Sequence, residues 1–329
     1  MRSVLSLNRT DEQQNYHGNY SACSGNYENV LNKADWFHNQ FFNIIFLSTL
    51  DSTLQVIFTL TFLISMVGMV GNGCVIWLLG FCIKRNNFTI YVLNLAITDF
   101  SMLISTLASA GLKIFTILKV SKQNVQTVLW FLWQFIVFTY SVNLYLLTAI
   151  GVERCLSILF PIWVRCHRPK HLSTIVSVLF WIVSALFAII EILLHFFCLL
   201  DTWLTFFRIL FSVNLFFFTP IMMVSTLILF IKMSFRRQPG KLHSVILIIL
   251  ISFTITAVPF GIFFFLAIID YNFHIIAIPV YSLLVILNSS LNPIIYFFVG
   301  NQCTCRSWES IKVVFQRVFK DEIDHAEVN

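Results

Sequence analysis

The stretch that decides the fold is residues 242–269, LHSVILIILISFTITAVPFGIFFFLAII, which contains no Asp, Glu, Lys or Arg. An α-helix needs about 20 apolar residues to cross the roughly 30 Å hydrocarbon core of a bilayer. The apolar residues are continuous and do not alternate with polar ones, which favours a helix over a strand of a membrane barrel. This stretch is therefore predicted to cross a membrane as an α-helix.

Six further runs of the same kind lie on either side of it. They cover residues 52–83, 86–112, 123–152, 172–190, 209–231 and 271–305, and Asp99 interrupts the second. Hydrophobic residues make up 58% of the 329 residues and charged residues 11%, which is more apolar surface than a soluble domain buries. The sequence therefore predicts an all-α membrane protein, a bundle of seven transmembrane helices, and excludes a soluble globular enzyme.

The basic residues set the predicted orientation. The net charge is +6, but Lys and Arg lie mainly in the connections after the first, third and fifth runs and in the C-terminal tail. This pattern is typical of cytoplasmic loops and gives no support to a nucleic-acid partner. We expect an extracellular tail over residues 1–51, the bundle over 52–300 and a cytoplasmic tail over 301–329. The chain is thus predicted to be a multi-pass protein of the cell membrane, with an extracellular N-terminus and a cytoplasmic C-terminus.

Both tails carry candidate modification sites. Asn8 and Asn19 begin Asn-x-Ser/Thr triplets, which are acceptors for glycosylation in an outer tail. Apolar residues recur at helical spacing over residues 308–319, which predicts a short amphipathic helix lying against the membrane lipids. Cys303 and Cys305 precede it and are candidates for palmitoylation, with two unmodified thiols as the alternative.

Polar side chains recur at one depth inside the predicted spans. Asp99 lies about 20 Å from the inner end of its run at 1.5 Å per residue, and an ionisable group at that depth is usually functional. Neutral polar side chains at nearly the same depth are Asn72, Asn143, Asn288, Ser289 and Asn292. One carboxylate among neutral oxygen donors suits a sodium ion or a protonatable switch. Interhelical hydrogen bonds that order the bundle are the alternative.

The same residues carry a resemblance to rhodopsin-like G-protein-coupled receptors. Gly71-Asn72, the sequence LAITD at 95–99 and NPIIY at 292–296 stand at that family's signature positions, and Glu153-Arg154-Cys155 stands where it has Asp/Glu-Arg-Tyr. Residues 152–173, 288–300 and 312–322 resemble the Mas-related receptors in particular. Ala257 replaces the tryptophan that the wider family has before its sixth-span proline, and Mas-related receptors often have a small residue there.

The resemblance implies a mechanism. Arg154 would engage a heterotrimeric G protein, with Glu153 restraining Arg154 in the resting state. Tyr296, in the motif formed with Asn292 and Pro293, would move inward on activation. Asn72, Asp99, Asn143, Asn288 and Ser289 would form a switch that binds an allosteric sodium ion, and no other cofactor is expected. The ligand would be an extracellular peptide or small amphiphilic molecule, and the coupling would be to Gq or Gi.

The ligand pocket is predicted from fewer observations. Glu191 matches a glutamate with which some Mas-related receptors hold cationic ligands, and Arg208 stands where those receptors have an aspartate. Glu191 therefore either contacts the ligand or forms an ion pair with Arg208. Tyr140, Phe260 and Tyr281 are candidates for an aromatic lining, with ordinary core packing as the alternative.

Other classes of protein fit less well. No lysine lies in residues 271–305 for a retinal Schiff base, and the spans lack the two aspartates of an intramembrane protease. An enzyme is therefore not predicted. A constitutively active or modulatory receptor with little ligand dependence is the alternative within receptors, and a transporter or channel is the remote one.

Overall fold

The computed structural model describes residues 52–83, 86–117, 122–169, 171–197, 199–235, 241–269 and 277–301. Within these ranges, seven helical segments are long and apolar enough to cross a membrane. They are span 1 (Val56–Cys82), span 2 (Asn87–Leu112), span 3 (Thr127–Leu159), span 4 (Leu172–Phe196), span 5 (Thr202–Ser234), span 6 (Leu242–Leu266) and span 7 (Pro279–Val299). The prediction of a seven-helix transmembrane bundle is confirmed.

The spans belong to helices of different regularity. Unbroken α-helices are Asn87–Ile117, Lys122–Leu159, Leu172–Phe196 and Ala277–Asn301. Span 1 joins Ser52–Trp77 to a π-helical turn at Leu78–Cys82, and span 5 joins Leu200–Val213 to Thr219–Ser234 through a π-helical turn at Asn214–Phe218. Span 6 joins Lys241–Thr256 to Val258–Ile269, and a short helix, Pro161–His167, lies between spans 3 and 4.

Prolines account for two of the irregularities. Proline has no backbone N–H to donate, so the carbonyl four residues earlier loses its helical partner and the helix bends or widens. Pro220 follows the π-helical turn of span 5, and Pro259 follows the break of span 6 at Ala257. Pro293 lies inside the helix of span 7 without ending it.

Span 3 forms the centre of the bundle and span 4 lies at its edge. Span 3 packs against spans 2, 4, 5 and 6, whereas span 1 packs against spans 2 and 7. Side chains at helical spacing on span 4 are more than half exposed, as expected for a face that contacts lipid: Ile175, Leu179, Ile182 and Leu186. Trp181 on another face of span 4 donates from its indole nitrogen to the Asn94 side chain of span 2 at 3.0 Å.

Three spans are longer than the uncharged runs that predicted them. Span 3 continues through Glu153 and Arg154 to Leu159, span 4 continues through Glu191 to Phe196, and span 5 begins before Arg208. Charged residues do not end a helix when their side chains face protein instead of lipid. The glycosylation candidates Asn8 and Asn19, the palmitoylation candidates Cys303 and Cys305, and the predicted interfacial helix lie outside the described residues.

Candidate functional site

Asp99 lies at the centre of a buried polar cluster that joins three spans. Its side chain is 0% exposed. One carboxylate oxygen accepts a hydrogen bond from Asn143 Nδ2 of span 3 at 2.7 Å, and the other accepts one from Asn292 Nδ2 of span 7 at 2.7 Å. Hydrogen bonds to a charged acceptor are among the stronger ones in proteins, so these contacts hold spans 2, 3 and 7 together.

Span 1 joins the same cluster through Asn72. Its Nδ2 donates to the backbone oxygen of Ser289 at 2.9 Å and to that of Gly68 at 3.0 Å. The Ser289 side chain lies beside the Asp99 carboxylate, and its hydroxyl is also 3.5 Å from Met102 Sδ. Asn288 is equally buried, at 1% exposure. The structure thus brings together, on four spans, five of the six polar residues that the sequence placed at one depth: Asn72, Asp99, Asn143, Ser289 and Asn292.

Three buried amide oxygens on the spans of this cluster have no hydrogen-bond partner among the described residues. The side-chain oxygens of Asn143, Asn288 and Asn292 are buried and accept no hydrogen bond from another described residue. A carboxylate with neutral amide oxygens is the kind of donor set that a hard cation such as Na⁺ prefers. No group of three His, Cys, Asp or Glu side chains that could hold a transition metal occurs in the described part of the chain. One carboxylate among amide side chains is the kind of group that could hold a monovalent cation, and the hydrogen bonds from Asn143 and Asn292 to Asp99 order the bundle.

Arg154 lies almost fully buried near the end of span 3. Its side chain is 6% exposed, and its guanidinium carbon is 4.8 Å from the centre of the Phe88 ring of span 2. A guanidinium over an aromatic face is stabilised by the charge distribution of the ring. The arginine is therefore held at this end of the bundle, called here the Arg154 end, without extending into solvent.

Glu153 is held by residues from three other elements. Both of its carboxylate oxygens accept hydrogen bonds from Arg168 at 2.8 Å, and Tyr91 of span 2 donates its hydroxyl proton at 3.2 Å. Ser173 of span 4 also lies 3.5 Å from it. Sequence reasoning assigned Glu153 to Arg154 and missed Arg168. The sequence carries no periodic signal for Arg168, because its place beside Glu153 depends on the path of the connection after the short helix Pro161–His167.

The seventh-span motif packs closely against span 1. A Cβ atom placed on Gly71 would lie 2.9 Å from Cβ of Pro293, so only a glycine lets the two helices approach this closely. Tyr296, one helical turn beyond Asn292, is 1% exposed. Asn292, Pro293 and Tyr296 are thus all packed between helices.

Two cavities lie between the described spans, and the larger one, called here the larger cavity, lies between spans 1, 2, 3, 6 and 7. Its volume is about 90 Å³, several times the roughly 10–15 Å³ that one water needs. Trp133, Ile136 and Phe260 form part of its wall. Trp133 precedes Arg154 by about 30 Å along span 3 at 1.5 Å per residue, so the cavity lies toward the opposite end of the bundle.

Glu191 lies in a different and much smaller cavity between spans 3, 4 and 5. This cavity measures about 10 Å³, which is the space of about one water. Glu191 is 1% exposed, and its Oε1 accepts no hydrogen bond from any residue that the structure describes. Of the five residues predicted to form one ligand pocket, Phe260 lines the larger cavity and Glu191 the smaller one. Arg208 is half-buried on span 5 and lines neither cavity among the described residues.

Neither of the two predicted tyrosines belongs to the wall of the larger cavity among the described residues. The Tyr281 ring stacks on Phe263 with 4.6 Å between centres. Tyr140 is 2% exposed, and its ring is 5.1 Å from that of Phe260. Its hydroxyl donates to the Ala257 backbone oxygen at 3.3 Å, at the break in span 6. Tyr140 therefore connects span 3 to the irregular point of span 6, beneath the cavity wall.

A second interhelical network surrounds the π-helical turn of span 5. The Tyr145 hydroxyl donates to Asn214 Oδ1 at 2.7 Å, and Asn214 Nδ2 donates to the Ser141 hydroxyl at 3.1 Å. The sequence did not single out these residues, because Asn214 is an isolated polar residue in an apolar run and belongs to no recognised motif. The network fixes span 5 against span 3 where the helix widens.

Comparisons with known proteins agree with this architecture. The family described as 7 transmembrane receptor (rhodopsin family) matches residues 71–296. The chain is 38% identical over 276 residues to Proto-oncogene Mas of Rattus norvegicus, which covers 79% of this chain and 82% of that protein. It is 37% identical over 281 residues to Mas-related G-protein coupled receptor member X1 of Homo sapiens, covering 80% and 84%.

A third relative gives the same result. Mas-related G-protein coupled receptor member H of Mus musculus is 39% identical over 280 residues, covering 80% of this chain and 84% of the relative. These relatives are receptors and not enzymes, in agreement with the sequence. The signature residues at Asn72, Asp99, Asn292 and Tyr296 fall within the matched region and occupy the interhelical positions described above. The chain therefore belongs to the rhodopsin family of seven-transmembrane receptors and, within it, to the Mas-related G-protein-coupled receptors.

Proposed function

We propose that this receptor binds an extracellular peptide or small amphiphilic molecule and activates a heterotrimeric G protein of the Gq or Gi class through Arg154. The observation that supports this most directly is the arrangement at the Arg154 end. Arg154 is packed over Phe88, and the neighbouring Glu153 is held by Arg168. A cation kept in place by packing is available to a protein partner once the surrounding helices separate.

The proposed orientation puts the Arg154 end in the cytoplasm and the larger cavity toward the outside. The basic connections after spans 1, 3 and 5 support it. A ligand that favours one packing of the helices over another shifts the balance between a resting and an active bundle. The polar cluster and the Tyr140 contact join the helices between the two ends, so both are positioned to differ between these states.

A sodium ion is proposed as an allosteric ligand of the polar cluster. Asp99 would supply the negative charge. The buried amide oxygens of Asn143, Asn288 and Asn292, which accept no hydrogen bond from another described residue, support the assignment. An ion held there would favour the helix arrangement that keeps these oxygens together.

The test is signalling in cells that express the full chain. Calcium release and inhibition of cyclic AMP would be measured with a panel of basic and acidic peptides, for the unmodified chain and for Arg154→Ala. We expect Arg154→Ala to abolish the response while surface expression and peptide binding remain. Lys232→Ala is the matched control, because Lys232 is an exposed cation on span 5 near the Arg154 end of the bundle.

The outcomes separate the alternatives. A response that survives Arg154→Ala would overturn the proposed role of Arg154, and a substrate flux that survives it would favour a transporter or channel. A high basal signal that no peptide increases would favour the constitutively active or modulatory alternative. Loss of the response to basic peptides in both Glu191→Ala and the isosteric Glu191→Gln, with intact surface expression, would support a role for the Glu191 charge in recognising a cationic ligand.

A further inference from the structure

The larger cavity has a wall of apolar side chains and hydroxyls. Its apolar part includes Phe58 of span 1, Met102 of span 2, Trp133 of span 3, Phe260 of span 6 and Ile286 of span 7. No charged side chain belongs to the wall among the described residues. An ion that left water for this site would lose its hydration and gain no counter-charge, so a charged group is disfavoured there.

The wall contains four hydroxyl side chains, Thr61, Thr106, Ser109 and Ser282, and the first three donate their protons to their own helices. Thr61 donates its proton to the Ile57 oxygen at 2.7 Å, Thr106 to the Met102 oxygen at 3.0 Å, and Ser109 to the Ser105 oxygen at 2.8 Å. A hydroxyl that has donated its one proton to its own helix can still accept a hydrogen bond. These three groups therefore face a ligand as acceptors, and the matching ligand group is an O–H or N–H donor.

We propose that this cavity binds an uncharged, mainly apolar molecule that carries one hydroxyl or amide donor, such as a medium-chain alcohol or a simple fatty amide. The apolar part would lie against Trp133 and Phe260, and the donor would bond to the hydroxyls of spans 1 and 2. The claim that such a molecule is the receptor's ligand rests on the proposed function. The claim that the cavity binds it does not.

The position of the cavity connects it to the break in span 6. Phe260 lines the cavity and contacts the Tyr140 ring, and the Tyr140 hydroxyl bonds to the Ala257 oxygen. A molecule that presses on Phe260 therefore acts on the residue that joins span 3 to this break. Such a path needs no tryptophan at position 257, where this chain has alanine.

The experiment measures binding directly on the purified full-length chain in phospholipid nanodiscs. The probe is a medium-chain alcohol that carries a photoreactive diazirine, and labelled peptides are identified by mass spectrometry. We expect labelling near Trp133 and Phe260 that an excess of unlabelled alcohol removes. Labelling of the lipid-exposed Phe216 and Phe217 should resist this competition and serves as the internal reference for membrane partitioning.

One pair of matched variants, and one further variant tested with a matched pair of ligands, examine the site. Ala110→Phe fills the larger cavity and should reduce the competable labelling by about tenfold or more, whereas Ala108→Phe, on the exposed face of the same span, should leave it unchanged. Thr106→Val preserves shape but removes an acceptor, so the alcohol should compete about three to ten times more weakly. The methyl ether of the same alcohol has no donor, and Thr106→Val should not change its competition.

Other outcomes would contradict the site, the ligand class, the proposed function or this inference. Equal labelling in Ala110→Phe and the unmodified chain would overturn the site, and a fatty carboxylate or alkylammonium that competes better than the alcohol would overturn the ligand class. Labelling needs no G protein, so binding without any cellular response would contradict the proposed function alone. A peptide response lost in Arg154→Ala, together with an absence of competable labelling, would contradict this inference alone.

Discussion

Arg168 donates hydrogen bonds from one guanidinium nitrogen to both carboxylate oxygens of Glu153, at 2.8 Å each. Arg168 directly follows the short helix Pro161–His167, so this ion pair ties the connection between spans 3 and 4 to the end of span 3. Tyr91 and Ser173 add contacts from spans 2 and 4. One carboxylate next to Arg154 is thus shared by three spans and one connection.

We expect Glu153→Gln and Arg168→Gln each to raise basal G-protein signalling by about fivefold, which corresponds to about 1 kcal/mol. Each change weakens the same charged contact, and this contact restrains the end of span 3. The double variant should then add little to either single one, because the second change removes an interaction that the first has already removed. Basal signalling normalised to surface expression gives the measurement, and fully additive effects would show that the two residues act separately.

Much of the fold was predictable because the membrane imposes a simple rule. A span must satisfy its backbone internally and be apolar over about 20 residues, and the uncharged runs located all seven spans within the described ranges. The points at which the spans end were less predictable. Span 4 continues past Glu191 because that side chain is buried against spans 3 and 5, and composition alone does not report which way a side chain faces.

The polar cluster was predictable for a related reason, since helical rise converts residue number into depth. Asp99, Asn143 and Asn292 meet because equal depth on neighbouring helices brings their side chains together. The Glu153–Arg168 pair depends on the path of a connection, which has no periodicity to read. Whether Glu191 faces an open pocket depends on how spans 3, 4 and 5 pack, and the small cavity there shows a close fit.

Asp99→Asn should remove any effect of sodium on signalling. The substitution keeps one oxygen and the size of the side chain but loses the negative charge that a cation needs. Concentration–response curves for the agonist would be compared in sodium chloride and in the chloride of a large organic cation at equal ionic strength. We expect the shift between these salts to vanish in Asp99→Asn.

The control for this experiment is the adjacent residue. Thr98 is equally buried, but its hydroxyl donates to the Leu95 oxygen of its own helix at 2.8 Å. Thr98→Val should therefore preserve the sodium effect. A sodium effect of the same size in Asp99→Asn would place the ion elsewhere.

Gly71→Ala should destabilise the receptor, whereas Gly73→Ala should not. A Cβ on Gly71 would lie 2.9 Å from Pro293, while a Cβ on Gly73 would lie at an ordinary 3.7 Å from the Phe100 ring. Overpacking of this kind costs about 1–3 kcal/mol. Thermal unfolding of the purified receptor would compare the same substitution at two sites on one helix, and equal midpoints would contradict the close packing of spans 1 and 7.

The contact between Tyr140 and Gly261 allows a test by mutual rescue. The Ala257 oxygen accepts from the Tyr140 hydroxyl at 3.3 Å and from the Gly261 N–H at 3.4 Å. A Cβ on Gly261 would lie 2.7 Å from the Tyr140 hydroxyl oxygen but 3.7 Å from the ring carbon that bears it. Gly261→Ala should therefore displace the hydroxyl and lower the unfolding midpoint.

Tyr140→Phe removes the oxygen that the new methyl group would meet and keeps the ring against Phe253 and Phe260. Gly261→Ala should consequently lower the midpoint in the tyrosine chain and have little effect in the phenylalanine chain. Tyr140→Phe alone should raise basal signalling, because span 3 then no longer holds the break in span 6. If Gly261→Ala lowers the midpoint equally in both chains, the methyl group conflicts with another neighbour and the hydroxyl does not set the position of span 6.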